Sequence, residues 1–158
     1  MEQISIQKSN LLEAYNVADA KTKDLLEKLF GQEQFRLKIT DKIKTFEDAC
    51  DAVEITNDMH LLLNYTGKDP DMIASQAHMK LTIITKALNE GWTPDWTDSD
   101  QVKYYPWPEY TAGVGFSFYD CDLSDTYSRV RSRLCYKSSD LAKYAFNQFK
   151  DIYNDFLK

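Results

Sequence analysis

The stretch KYYPWPEYTAGVGFSFYD, residues 103–120, places aromatic rings at Tyr104, Tyr105, Trp107, Tyr110, Phe116, Phe118 and Tyr119, and the segment SRVRSRLCYK that follows carries Arg129, Arg131 and Arg133 at alternate positions. Rings beside guanidinium groups do binding chemistry. Their faces stack on bases, sugars or the side chains of a partner, and the cations add charge-assisted hydrogen bonds. Neighbouring residues of a strand face opposite sides, so Tyr104 and Tyr105 cannot both fill one core. The expected ligand face therefore joins Tyr105, Trp107, Tyr110 and Tyr119 to Arg129, Arg131 and Arg133, beside Gly113, Gly115 and Ser117, which leave room above the sheet. The competing role for the same rings is an aromatic ladder that stabilises the sheet edge.

Other chemistries find less support. Asp120, Asp122 and Asp125 in DCDLSD resemble the start of a calcium loop, but no glycine follows at the sixth position and Arg131 stands at the twelfth, so a solvated loop is expected. His60 and His78 lie far apart, with no carboxylate at ligand spacing, so no metal site is expected. Cys50, Cys121 and Cys135 are odd in number and lack CxxC spacing, which suits reduced, mostly buried thiols. No nucleophile elbow, phosphate loop or dinucleotide fingerprint occurs, and no cofactor is implied. A non-catalytic protein is the expectation, with an enzyme left as the case in which a site converges only in three dimensions.

The 158 residues and 43% apolar content suit one soluble domain, helical over residues 1–91 and made of a sheet with a C-terminal helix over residues 101–158. MEQISIQKSN lacks the apolar run of a signal peptide and no stretch is long enough to span a membrane, so the expected setting is the cytoplasm. The net charge of −6 resides in the helical part, where 11 basic residues face 18 acidic ones up to residue 100, while residues 101–137 carry 5 against 4. An acidic body argues against broad binding to duplex nucleic acid.

The elements that must position these residues are read from periodicity and caps. SNLLEAYNVADAKTKDLLEKLFG predicts one helix from Ser9 as N-cap to Gly31 as stop, with a seam of Leu11, Tyr15, Ala18, Thr22, Leu25 and Leu29 that suits a neighbouring helix or a homodimer. Phe35, Leu37 and Ile39 alternate as in a strand or a helical linker. Thr45 with Asp48 predicts a capping box opening a short helix, and Asp69 with Pro70 opens another that Gly91 stops. Trp92 falls where the apolar contact of a helix ending sits. From Gln101 the period turns to two, so QVKYYPW, GVGFSFYD and SRVRSRLCYK predict a three-stranded antiparallel meander, with Pro106 and Pro108 confining the first strand to an edge or ending it early. Ser138 caps a closing helix whose inner face is Leu141, Ala145, Phe149, Ile152 and Phe156. Helices, then a meander, then a helix make an α+β fold in one domain.

LLEKLFG with ITDKIKTFEDAC, followed by ALNEGWTPDW, KYYPW, GFSF and SRLCYKSSDLAKYAFNQFKDIYNDFL, resembles a family of small uncharacterised proteins of gut Bacteroidales and of their phages and mobile elements. The resemblance covers most of the chain and implies a cytosolic, phage-related or mobile-element setting. The family has no assigned activity to carry over. Arg131-Ser132 stands where its members have Gly-Ser, so a basic feature at Arg131 belongs to this chain. The expected function is a binding module that meets a protein partner through the aromatic and arginine face, with single-stranded nucleic acid or a nucleotide as the alternative ligand.

Overall fold

The computed structural model of the chain describes residues 6–36, 38–125 and 133–158, with backbone alone at Asn57. These residues form an α+β fold of eight α-helices and one pair of antiparallel strands, divided into the compact units Met1–Lys38 and Ile39–Lys158.

In the first unit, α1 (Lys8–Val17) and α2 (Ala20–Phe30) replace the single helix expected over residues 9–31. The break lies at Asp19, whose carboxylate accepts from the Thr22 N–H at 2.8 Å and caps α2. A strong N-cap in mid-sequence outweighs a continuing heptad spacing. The expected seam is thereby interrupted, and Leu25 and Leu29 are exposed. α1 starts two residues earlier than expected, behind Gln7, with no side-chain cap from Ser9. Gly31 does end α2, at φ 82°. A 3-10 turn (Gln32–Gln34) then brings Phe35 to stack on Tyr15 at 4.2 Å, and the Tyr15 hydroxyl donates to Glu27.

The second unit holds α3 (Ile39–Lys42), α4 (Phe46–Ala52), α5 (Asn57–Leu63), α6 (Pro70–Asn89), β1 (Lys103–Thr111), β2 (Gly115–Ser124), α7 (Ser139–Gln148) and α8 (Lys150–Leu157). Three of its helices begin where local chemistry says they should. Thr45 accepts from the Asp48 N–H at 3.1 Å while the Asp48 carboxylate accepts from the Thr45 N–H at 2.8 Å. Asp69 accepts from the Met72 N–H at 3.0 Å with Pro70 in the first turn, and Ser138 accepts from the Leu141 N–H at 3.3 Å. α6 is the central element. Leu81, Ile83, Ile84 and Leu88 are fully buried, so apolar residues run together there instead of keeping to one stripe. Ala142, Ala145 and Phe146 of α7 and Tyr153 of α8 complete the same core, and Phe116 and Phe118 of the hairpin pack onto it. The closing segment is two helices, not one, because Phe149 departs from helical geometry at φ −112° and ψ 33°.

The predicted three-stranded meander is corrected to a two-stranded hairpin. β1 runs through both prolines to Thr111, paired with β2 from Lys103↔Ser124 to Thr111↔Gly115, with one bulge where Trp107 faces Asp120 and Pro108 faces Phe118. Of the expected third strand, residues 128–132 lie outside the described residues and the described remainder forms a single bridge, in which Tyr136 and Tyr104 exchange N–H···O bonds of 2.8 and 3.0 Å. The prolines explain both facts. Backbone groups alternate in direction along a strand, so Pro106 and Pro108 share the outer edge of Tyr104. There they take no N–H from the β1–β2 ladder, yet they have none to give to a further strand. Val114, expected to share a face with Phe116 and Phe118, sits in the exposed turn, which Gly113 and Gly115 form at φ 82° and 89°. Asp120 and Asp122, expected in a loop, belong to β2.

Candidate functional site

Among the described residues, the hairpin brings together only part of the expected ligand face. By the register, Tyr105 and Trp107 do share one face, opposite Asp122 and Asp120. Tyr105, however, is buried at 3% exposure, whereas Trp107 is 42% exposed. Trp107 and Tyr119 line a shallow depression with Asp120, Cys121 and Asp122. Tyr110 pairs with Phe116 on the other face and packs edge-on against it at 5.2 Å. Arg129 and Arg131 lie outside the described residues. Arg133 lies elsewhere, on the rim of a cleft.

That cleft, of about 370 Å³, is the candidate site. The last turns of α6 provide Thr82, Thr85, Lys86 and Asn89. The loop beyond the helix provides Trp92, Thr93, Pro94 and Trp96, and the returning chain adds Arg133 and Cys135. Each wall is held by chemistry that can be traced. α6 ends with Glu90 in the left-handed conformation at φ 51°, followed by Gly91 at φ 83°, which turns the chain so that the Trp92 N–H donates to Asn89 O at 2.9 Å. The loop braces itself. The Asp95 carboxylate accepts from the Thr97 N–H and hydroxyl at 2.8 and 2.7 Å, and Asp98 accepts from the Asp100 N–H at 2.8 Å. Those bonds, the Thr97 hydroxyl first, hold the Asp95 carboxyl below the usual carboxylate range.

Lys103 fastens the loop from within. It is fully buried, donates to Asp98 O at 3.0 Å and to Asp125 O at 2.7 Å, and sets its ammonium 5.4 Å from the centre of the Trp96 ring. On the returning chain, the Asn89 amide donates to Cys135 O at 2.8 Å and accepts from the Lys137 N–H at 3.1 Å. It thereby serves the two backbone groups that flank the Tyr136 bridge and point away from β1. Lys86 and Arg133, both exposed at the rim, have no ion-pair partner among the described residues.

The buried acids behind the cleft are neutral. Burial pushes the Cys135 thiol from 9.0 up to about 11, against the opposing pull of its backbone hydrogen bond and of Lys103. Burial likewise raises Tyr105, whose hydroxyl lies beside that thiol, and lifts Tyr136 to about 12 despite its hydrogen bonds with Thr85 and Tyr153. A thiol with a raised pKa is a poor nucleophile near neutral pH. A pH dependence follows. The folded state holds these protons more tightly than the unfolded chain, so the stability they contribute is complete below pH 9 and falls as pH rises through the folded values. Urea unfolding at about pH 10.5 should give a stability about 2–3 kcal/mol lower than at about pH 8. An unchanged midpoint would contradict the burial of Cys135 and Tyr136.

Sequence reasoning missed Thr82, Thr85, Asn89 and Trp96 and gave Trp92 a purely structural part. A signal was present: LTIITKALN sets Thr82, Thr85 and Asn89 at helical spacing, a polar stripe on an otherwise apolar helix, directly before two tryptophans. Among the described residues no group of three or more His, Cys, Asp or Glu is placed to hold a metal ion, and no helix is long and apolar enough to cross a membrane. His60 is exposed on α5 and His78 packs on Phe156 at 5.4 Å. No family model matches the sequence, and no curated protein or solved structure is detectably similar to it.

Proposed function

We propose that the protein is a non-catalytic binding module whose cleft between α6 and the Trp92–Trp96 loop takes a small planar ligand carrying negative charge. One observation carries the reading: two tryptophans line a cleft whose rim bears Arg133 and Lys86, cations with no ion-pair partner among the described residues. Indole faces supply stacking and the rim supplies charge-assisted hydrogen bonds to a phosphate or carboxylate. A nucleotide has both features. The acidic body favours one small ligand over a long polyanion. A cytoplasmic setting, in a phage or mobile element, is part of the same proposal and rests on the resemblance.

A second reading concerns the hairpin, where Trp107 and Tyr119 are exposed around one depression at 42% and 66%. Exposed aromatic rings of this kind anchor protein partners.

Tryptophan fluorescence separates the two. In Trp107→Phe the remaining indoles are Trp92 and Trp96, both in the cleft. Titration with nucleoside monophosphates is expected to give a saturable change, and Arg133→Ala is expected to weaken binding by about tenfold and to reduce its salt dependence. No saturable change with any nucleotide would end the cleft reading and leave the hairpin face.

A further inference from the structure

The hydrogen-bonding pattern of the cleft floor specifies which edge of a ligand it accepts. Thr82 and Thr85 line the cleft, yet each hydroxyl already donates its single proton, Thr82 to His78 O at 2.9 Å and Thr85 to the Tyr136 hydroxyl at 3.0 Å. The Tyr136 hydroxyl that accepts from Thr85 is itself hydrogen-bonded to that of Tyr153 at 3.0 Å in the core. A hydroxyl with its proton committed faces a ligand with lone pairs alone. Asn89 is complementary. Its carbonyl oxygen accepts from the Lys137 N–H and one amide proton goes to Cys135 O, so a second amide proton stays uncommitted among the described residues. Thr82, Thr85 and Asn89 thus supply acceptor, acceptor and donor along two turns of α6, with the cations of the rim beyond them.

From this we infer that the cleft selects a nucleotide whose base carries an exocyclic amino group next to an unprotonated ring nitrogen, as adenine and cytosine do. The inference rests on the cleft reading above and sharpens it. The amino group donates to the threonine oxygens, the ring nitrogen accepts from Asn89, and Arg133 and Lys86 hold the phosphate. Uracil and hypoxanthine present a carbonyl where that amino group would be, and oxygen facing oxygen leaves buried acceptors without a donor. An asparagine amide donating to the ring nitrogen beside an amino group is one half of an established bidentate geometry for adenine, and here the threonine oxygens take the place of the other half. Thr82 and Thr85 are buried at 9% and 4% exposure, so little water is present to bridge a mismatch.

The test compares matched pairs in Trp107→Phe protein: cytidine against uridine 5′-monophosphate, and adenosine against inosine 5′-monophosphate. The amino member of a pair should bind about tenfold more tightly than its oxo counterpart. Thr82→Val should collapse that preference by weakening the amino member alone, whereas Arg133→Ala should weaken both members equally and keep the ratio. Thr85→Val repeats the test from the other hydroxyl, with circular dichroism confirming the fold. Should the variant not fold, the wild-type ratio and Thr82→Val still decide the matter. Binding of both members with equal affinity, or preference for the oxo member, overturns the inference while leaving the cleft as a nucleotide site. Binding of neither pair overturns the cleft reading itself.

Discussion

Asn89→Ala is expected to lower stability by about 3 kcal/mol, because the side chain serves two backbone groups in a buried place and alanine serves neither. Asn89 is 3% exposed, Cys135 2% and Tyr136 0%, so water from the cleft replaces the lost amide poorly. The Cys135 carbonyl loses a donor at 2.8 Å and the Lys137 N–H loses an acceptor at 3.1 Å. Asn89→Asp supplies a second check. It keeps an acceptor for Lys137 but turns a carboxylate oxygen on the Cys135 carbonyl, so it should cost no less than alanine. Urea unfolding followed by far-ultraviolet circular dichroism gives the number. A loss below about 0.5 kcal/mol would mean that the returning chain is not held by this side chain.

Lys103→Met is expected to cost about 2–4 kcal/mol and to loosen the Trp92–Trp96 loop. Methionine keeps the length and apolar stem of the side chain, so the loss isolates the ammonium. That group ties Asp98 O to Asp125 O across 27 residues of chain and sits over the Trp96 ring. Without it, two carbonyls lose a charged donor and the indole loses the cation on its face. The effect on the cleft separates this prediction from a general loss of packing: Trp96 emission should shift toward that of water-exposed indole while the cooperative unfolding of the helical core persists. Full stability in Lys103→Met would show that burying the cation costs as much as its bonds return, an outcome known for buried charges.

The caps of α4, α6 and α7 were legible because each depends on residues within one turn: Thr45 with Asp48, Asp69 with Pro70, Ser138 with Leu141. The breaks at Asp19 and Phe149 were not read, since the apolar spacing continues through both and competes with a local signal. The strands were found, but their number was not. Alternation in SRVRSRLCYK suggested a third strand, whereas Leu134, Cys135 and Tyr136 are all buried in succession, which a half-covered strand does not do. The site was the least legible part. Arg133 and Trp107 looked like neighbours because they follow one another in the sheet region, yet the chemistry that groups Arg133 with Trp92 and Trp96 acts between Asn89 and residues 46 and 48 positions away. No local pattern reports a contact of that span.

Pro106 and Pro108 also bear on how copies of this chain behave toward one another. An open strand edge invites edge-to-edge pairing between molecules and, at high concentration, growth into fibrils. Beyond the Tyr104–Tyr136 bridge β1 keeps only a short stretch of such an edge, where Pro106 is buried and Pro108 half-buried. Two prolines on the outward side make that edge a poor template, since an incoming strand finds carbonyls but no amide protons at alternate positions. The hairpin can therefore keep its aromatic residues without paying for them in self-association.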